Sequence, residues 1–232
     1  MSAPQRFVLV RHAEADVNTL HDDDVIAGFD PHAELTELGR RQASALARHL
    51  PGDPTLLTTT LPPSSGHDAE PVADVVQLYS SPQRRAVQTA EGLATALGLP
   101  AQQDDRLAEV IAPEVFARPL TVREWDAVLE DRLRNPSASV FGVESWREQR
   151  RRVRDFLAER CSPRGSRGPR LIVSHSETIQ ALLFELLQLD DGLLHRARFK
   201  VSNTGVFIVD RTENGCTSLV VANSKSHLAR TA

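Results

Sequence analysis

The sequence predicts an α/β fold: three layers, with a mostly parallel central sheet covered by helices on both faces. Three observations carry this expectation. The apolar run "FVLV" at Phe7–Val10 is continuous rather than alternating, as in strands buried on both sides. Predicted strands alternate with amphipathic helical stretches along the chain. The 232 residues are enough for one large core, and no internal repeat is visible.

The elements follow in order. Phe7–Val10 is the first strand. "LTELGRRQASALARHL" predicts a helix with Thr36 as N-cap and Leu38, Ala45, Leu46 and Leu50 on one face, stopped by Pro51 and Gly52. Residues 51–73, rich in Pro, Ser, Thr and Gly, read as a loop or lid. "ADVVQLYSS" is a second strand. "SPQRRAVQTAEGLATALGLP" is a helix with Ser81 as N-cap and Pro82 at its first position, ended by Gly98 and Pro100. "TVREWDAVLEDRLRN" and "ESWREQRRRVRDFLAER" are amphipathic helices parted by Asn135-Pro136. The basic "REQRRRVRD" alternates with acidic residues and reads as a solvated face. "SPRGSRGP" is a connector, "RLIVSHSETIQALLFELLQL" a strand running into a helix, and "NTGVFIVD" and "TSLVVAN" are closing strands. One domain over 1–232 is expected, with loop or lid insertions at 51–73 and 110–143.

Composition excludes several classes. A net charge of −4 with 41% hydrophobic residues argues against a nucleic-acid binder or a polybasic anchor. No apolar stretch approaches membrane-span length, and the N-terminus lacks a long apolar signal core. Two cysteines without CxxC form no disulfide framework or zinc spacing, so a cytoplasmic location is expected. "HDDD" at 21–24 reads as a solvated loop. Oligomeric state is open, a homodimer among the options.

Three strand-to-helix junctions carry reactive groups: Arg11-His12 after "FVLV", Arg84-Arg85 in "YSSPQRRAVQTAE", and His175 in "LIVSHSETI". Ligands of open α/β sheets bind outside the carboxyl ends of the strands, so distant junctions can converge there. Arginine forks and helix N-termini suit phosphate oxygens, and imidazole supplies a charge or a nucleophile. This combination fits a phosphoryl group better than a carboxylate or a metal.

"LVRHAEADVN" resembles the LVRHGExxxN signature of the histidine phosphatase superfamily, the phosphoglycerate-mutase-like fold. "LTELGRRQASALARHL" resembles its LTxxGxxQAxxLAxxL helix, "YSSPQRRAVQTAE" its SSPxxRAxQTA and "LIVSHSETIQALL" its VVSHGGxIxALL, while "NTGVFIV" resembles its closing strand. The matches cover most of the chain. The resemblance implies His12 as the nucleophile that becomes phosphohistidine. It implies Arg11, Asn18, Arg85 and His175 as phosphate-pocket residues, His175 counting also among the catalytic groups, and Glu109 in "RLAEV" as general acid, with Glu14 as the second choice. No metal or cofactor is implied. Departures from the pattern are Ala13 and Ser176 where glycines are usual, and Ala15 where Thr or Ser is usual.

The function so implied is a metal-independent phosphomonoesterase acting on a small phosphorylated metabolite. The alternatives are a phosphoglycerate-type mutase, whose longer RHGExxWNxxNxFxGW start is missing here, and a protein phosphatase acting on phosphohistidine or phosphotyrosine. A non-catalytic phosphate-binding module would be favoured by loss of a motif histidine or arginine, and none is lost.

Overall fold

The computed structural model describes residues 4–28, 30–52, 76–113, 116–161, 168–194 and 196–229. A six-stranded sheet forms the middle layer: β1 (Gln5–Arg11), β3 (Gln77–Ser80), β4 (Ala101–Gln103), β6 (Arg170–Ser174), β7 (Val206–Arg211) and β8 (Thr217–Ser224). Its order is β4-β3-β6-β1-β7-β8. The first four of these run parallel, and β7 and β8 add antiparallel at one side. A separate ribbon pairs β2 (Val25–Ile26) with β5 (Leu120–Thr121).

Among the described residues there are five helices: α1 (Glu37–His49), α2 (Arg84–Leu97), α3 (Val122–Arg134), α4 (Trp146–Arg160) and α5 (Ser176–Leu186). The continuous apolar character of β1 has a direct cause. Alternate side chains leave a strand on opposite faces, and here both faces are cores. Val8 and Val10 pack with Leu46, Ala86, Ala90 and Leu93 from α1 and α2. Phe7 and Leu9 pack with Trp146, Phe156, Ile179 and Phe184 from α4 and α5.

The boundaries refine the sequence reading. Thr36 caps α1, its Oγ1 accepting from Gly39 N at 2.9 Å. Leu38 is not on the buried stripe: it is 43% exposed. It lies about 80° around the helix from Leu46, and the packed positions include Gly39, Ala43, Leu46 and Leu50. Ser81 is not the helical cap of α2. Its hydroxyl takes the Gln83 amide at 3.2 Å and meets His175, and the helix starts at Arg84 with Gln83 as cap. Gly98, at φ 63°, ends α2 in the left-handed conformation that a Cβ disfavours. Capping boxes Thr121/Glu124 and Ser145/Glu148 start α3 and α4. The basic stretch of α4 is not a purely solvated face: Gln149 is fully buried, and Arg150 and Arg152 sit in close ion pairs. Residues 53–73, most of the first expected lid, lie outside the described residues, as does most of the 162–169 connector.

Candidate active site

Register brings the junctions together. Arg11 pairs with Ser174 across β1 and β6, and Ser80 pairs with Val173 across β3 and β6. The chain leaves all three strands at one edge, where His12 N donates to Ser174 O (2.8 Å) and Ser81 N to Val173 O (3.0 Å). The His12 and His175 rings lie 5.0 Å apart, centroid to centroid.

His12 is buried and held in one tautomer. Its Nδ1 faces the Ala13 carbonyl at 2.7 Å. A carbonyl only accepts, so Nδ1 carries the proton and Nε2 the lone pair. Arg85 agrees with this, since its Nε–H donates to His12 Nε2 at 3.3 Å. Burial first, then the Arg85 and Arg11 charges, hold His12 well below the usual histidine range of 6.5. The backbone around it is fixed too. Asn203 Nδ2 donates to His12 O at 3.1 Å, and Ala13 N to Thr89 Oγ1 at 3.0 Å. Gly39 lets α1 press on this turn: a Cβ there would stand 1.9 Å from the Glu14 carbonyl oxygen.

Arg85, in the first turn of α2, is oriented by Gln83 Oε1 (2.8 Å) and the Asp30 carbonyl (3.2 Å). Arg11 Nη1 donates to Val201 O at 2.8 Å, while its Nε is buried without a partner. His175 is fully buried. Its Nε2 lies 2.8 Å from Ser81 Oγ, and its Nδ1 has no partner. If Ser81 donates to Nε2, Nδ1 carries a proton that an anion's oxygen can accept. Asn18 Oδ1 accepts from Ala15 N and Asn203 Nδ2, both at 3.1 Å, which leaves its Nδ2 as the end for a ligand.

Glu109 stands at the N-terminus of α5, accepting from Thr178 N (3.3 Å) and from Glu177 N (3.4 Å). Glu14 is engaged elsewhere: its Oε1 takes the Thr36 hydroxyl at 2.7 Å, beside α1. Arg11, His12, Asn18, Arg85 and Glu109 line one cavity of about 950 Å³. His175 is not among the lining residues; it is fully buried, its ring 5.0 Å from that of His12. Phe116 and Trp125, stacked at 5.4 Å, form part of the far wall together with Leu20, Ile26 and the carboxylates of Asp126 and Glu130. Burial, then Asp22 and Glu130, push the Asp126 carboxyl up from its ordinary value.

Four further residues bear on the site without having been singled out. Ser81 and Asn203 lay inside quoted motifs, "YSSPQ" and "NTG", so a signal for them existed. Glu177, buried in the cavity wall and paired with Arg132 and Arg198 at 3.4 Å, follows Ser176 where the motif is glycine-rich. Arg152 carried no sequence signal.

The neutral state of both histidines has a measurable consequence. Burial is also the main cause of the depressed pKa of His175, followed by Arg85 and His12. Histidine NMR resonances lost in His12→Ala and His175→Ala should stay at neutral-ring positions through pH 6.5. The unfolded chain takes up these protons near 6.5 and the folded one does not. Stability should therefore fall as pH drops from about 6.5 toward the depressed folded values. A midpoint near 6.5 for either ring would contradict the site's electrostatics.

Sheet order, junctions and motifs together define the family. A model of the histidine phosphatase superfamily (branch 1) matches residues 68–224, and the chain belongs to this superfamily. It is 34% identical to 5''-phosphoribostamycin phosphatase of Niallia circulans, covering 97% of this chain and 99% of that protein. It is 24% identical to a 2,3-bisphosphoglycerate-dependent phosphoglycerate mutase of Thermoplasma acidophilum, over 88% of this chain and 86% of the mutase. Among solved structures, mycobacterial glucosyl-3-phosphoglycerate phosphatase superposes with a TM-score of 0.68 at 25% identity, over 95% of this chain and 99% of the other. Among the described residues, no helix is long and apolar enough to cross a membrane.

Proposed function

We propose that this chain is a metal-independent phosphomonoesterase that hydrolyses a small phosphorylated metabolite through a phosphohistidine on His12. The observation that carries the reading is the His12 tautomer: a neutral ring, its Nδ1 tied to Ala13 O, with the Nε2 lone pair beside Arg85. Nε2 attacks phosphorus in line while the ester P–O bond breaks. Arg11, Arg85, Asn18 and His175 take up the charge on the equatorial oxygens. The partnerless Arg11 Nε and His175 Nδ1 support an anion at this place. Glu109 gives its proton to the leaving oxygen. It then accepts one from the water that attacks the phosphoenzyme, the P–N bond breaks, and phosphate leaves. The enzyme so read works in the cytoplasm.

The substrate we propose is a phosphate ester with amino groups on its body. A phosphate ester of ribostamycin names the 34% identical relative. The cavity lining here includes Asp126 as well as the stacked Phe116 and Trp125, and a carboxylate at a cavity favours a ligand bearing ammonium groups. Phosphate release from glucosamine 6-phosphate and glucose 6-phosphate, with and without chelator, tests both parts. We expect higher kcat/KM for the amine, no effect of chelator, and a preference reduced up to about fivefold in Asp126→Asn, the range of a partly exposed charge pair. Equal kcat/KM for the two sugars, unchanged by Asp126→Asn, would remove the amine. Activity that vanishes with chelator and returns with magnesium would remove the metal-free mechanism. Isomerised ester without free phosphate would favour the mutase.

A further inference from the structure

We propose that Arg152 is a positioning residue that fixes the place of Glu109; the inference rests on Glu109 being the general acid. Arg152 lies in the middle of α4, yet its guanidinium reaches the segment that carries the acid. Nη1 donates to Arg106 O (2.6 Å) and Ala108 O (2.9 Å). Nη2 donates to Glu109 O (2.9 Å) and to Glu144 Oε1 (2.5 Å), and Nε to Glu144 Oε2 (3.0 Å). The five N–H groups of a guanidinium are thereby all used. The pair is shielded from water, with side-chain exposures of 12% for Arg152 and 8% for Glu144.

The same ion pair holds the chain beyond the acid. Glu144 Oε1 accepts from Ile111 N at 2.9 Å, and Glu144 N donates to Ile111 O at 2.8 Å. The backbone is gripped on both sides of residue 109. Ser174 Oγ donates to Leu107 O and Thr178 Oγ1 to Ala108 O, so each carbonyl from 106 to 109 is bonded. The acid stands on an irregular stretch with no ladder of its own to locate it. An ångström of drift at a proton donor is costly, because transfer needs hydrogen-bond reach to the leaving oxygen. Lysine cannot replace the clamp: three donors on one nitrogen do not span three carbonyls and a carboxylate.

The test compares wild type, Arg152→Lys, Glu144→Gln, Glu109→Gln and Glu109→Gln/Arg152→Lys on an alkyl phosphate and on para-nitrophenyl phosphate. In Arg152→Lys we expect kcat/KM on the alkyl ester to fall at least about tenfold. On the aryl ester, whose leaving group needs no proton, we expect a fall under about threefold. Glu144→Gln should show the same selectivity more mildly, and it carries the test if Arg152→Lys does not fold. The double variant should be no slower on the alkyl ester than Glu109→Gln alone, because a misplaced acid and a missing one are the same loss. Equal losses on the two esters in Arg152→Lys and Glu144→Gln, or multiplicative losses in the double variant, would overturn the proposal while leaving the acid in place. Equal losses on both esters in Glu109→Gln itself would overturn the acid assignment instead.

Discussion

His12→Ala should abolish turnover, by at least about 10⁴-fold, and with it any covalent phosphoryl label on the protein. The size of the effect follows from the division of labour around phosphorus. The arginines and His175 can bind a phosphate and stabilise its charge, but neither guanidinium has a lone pair to offer. His175 Nε2 is occupied by Ser81 Oγ at 2.8 Å. The nitrogen lone pair set beside Arg85 is that of His12 Nε2. Wild type quenched in base after mixing with ³²P-labelled substrate should retain label that acid releases, the behaviour of a phosphorus–nitrogen bond. His12→Ala should retain none, while still binding phosphate through Arg11 and Arg85. Persistent base-stable label in His12→Ala would place the nucleophile elsewhere, and turnover near wild type would remove covalent catalysis altogether.

Glu109→Gln should divide substrates by leaving group. Glutamine keeps the shape of the side chain and, with its one carbonyl oxygen, can still accept from one of the Thr178 and Glu177 amides that hold the two oxygens of Glu109 at 3.3–3.4 Å. What it lacks is the proton to give. For an alkyl phosphate the departing alkoxide is strongly basic, and losing a positioned acid costs about 10²–10⁴-fold. For para-nitrophenyl phosphate the departing phenolate needs little help, and the first step should barely slow. Dephosphorylation uses the same carboxylate as base, so label should accumulate on His12 during aryl ester turnover. Rapid-quench measurement of the burst checks this. Without a burst, and with equal losses on both esters, the acid must be sought elsewhere. Glu14 is a poor successor, since its carboxylate is bonded to Thr36.

Much of this architecture was legible in the sequence because the signals were local and repeated. Phe7–Val10 announced a doubly covered strand through four consecutive apolar residues, and both faces of β1 are cores. Arg11, His12, Arg85 and His175 stood out because each follows a strand and the sheet brings strand ends to one edge. What escaped the reading has physical reasons. β4 is three residues, polar and partly exposed at a sheet edge, and β2 and β5 are two residues each, too short for any periodicity. The start of α2 was placed two residues early because Ser81 has cap chemistry but spends its hydroxyl on His175 and Gln83 N. Arg152 was invisible because the partners that tie it to the acid's segment are backbone carbonyls 43–46 residues away, and a carbonyl looks the same under every side chain. The basic face it belongs to has the composition of a solvated surface.

Helix α3 bears two stripes with different histories available to them. Trp125, Asp126, Leu129 and Glu130 face the cavity, while Val128 and Leu133 are buried and Arg132 is bonded to Gln149 of α4 and Glu177 of α5. Substitutions at the exposed Asp126 and Glu130 change what the enzyme can accept while leaving the packed Trp125 and Leu129 in place. Substitutions in the second stripe unseat the helix, because removing Arg132 takes from the buried Glu177 carboxylate the more deeply buried of its two arginine partners. A lineage can therefore diversify along residues three and four apart while the interleaved positions stay fixed, and its descendants would differ in diet but share one chemistry.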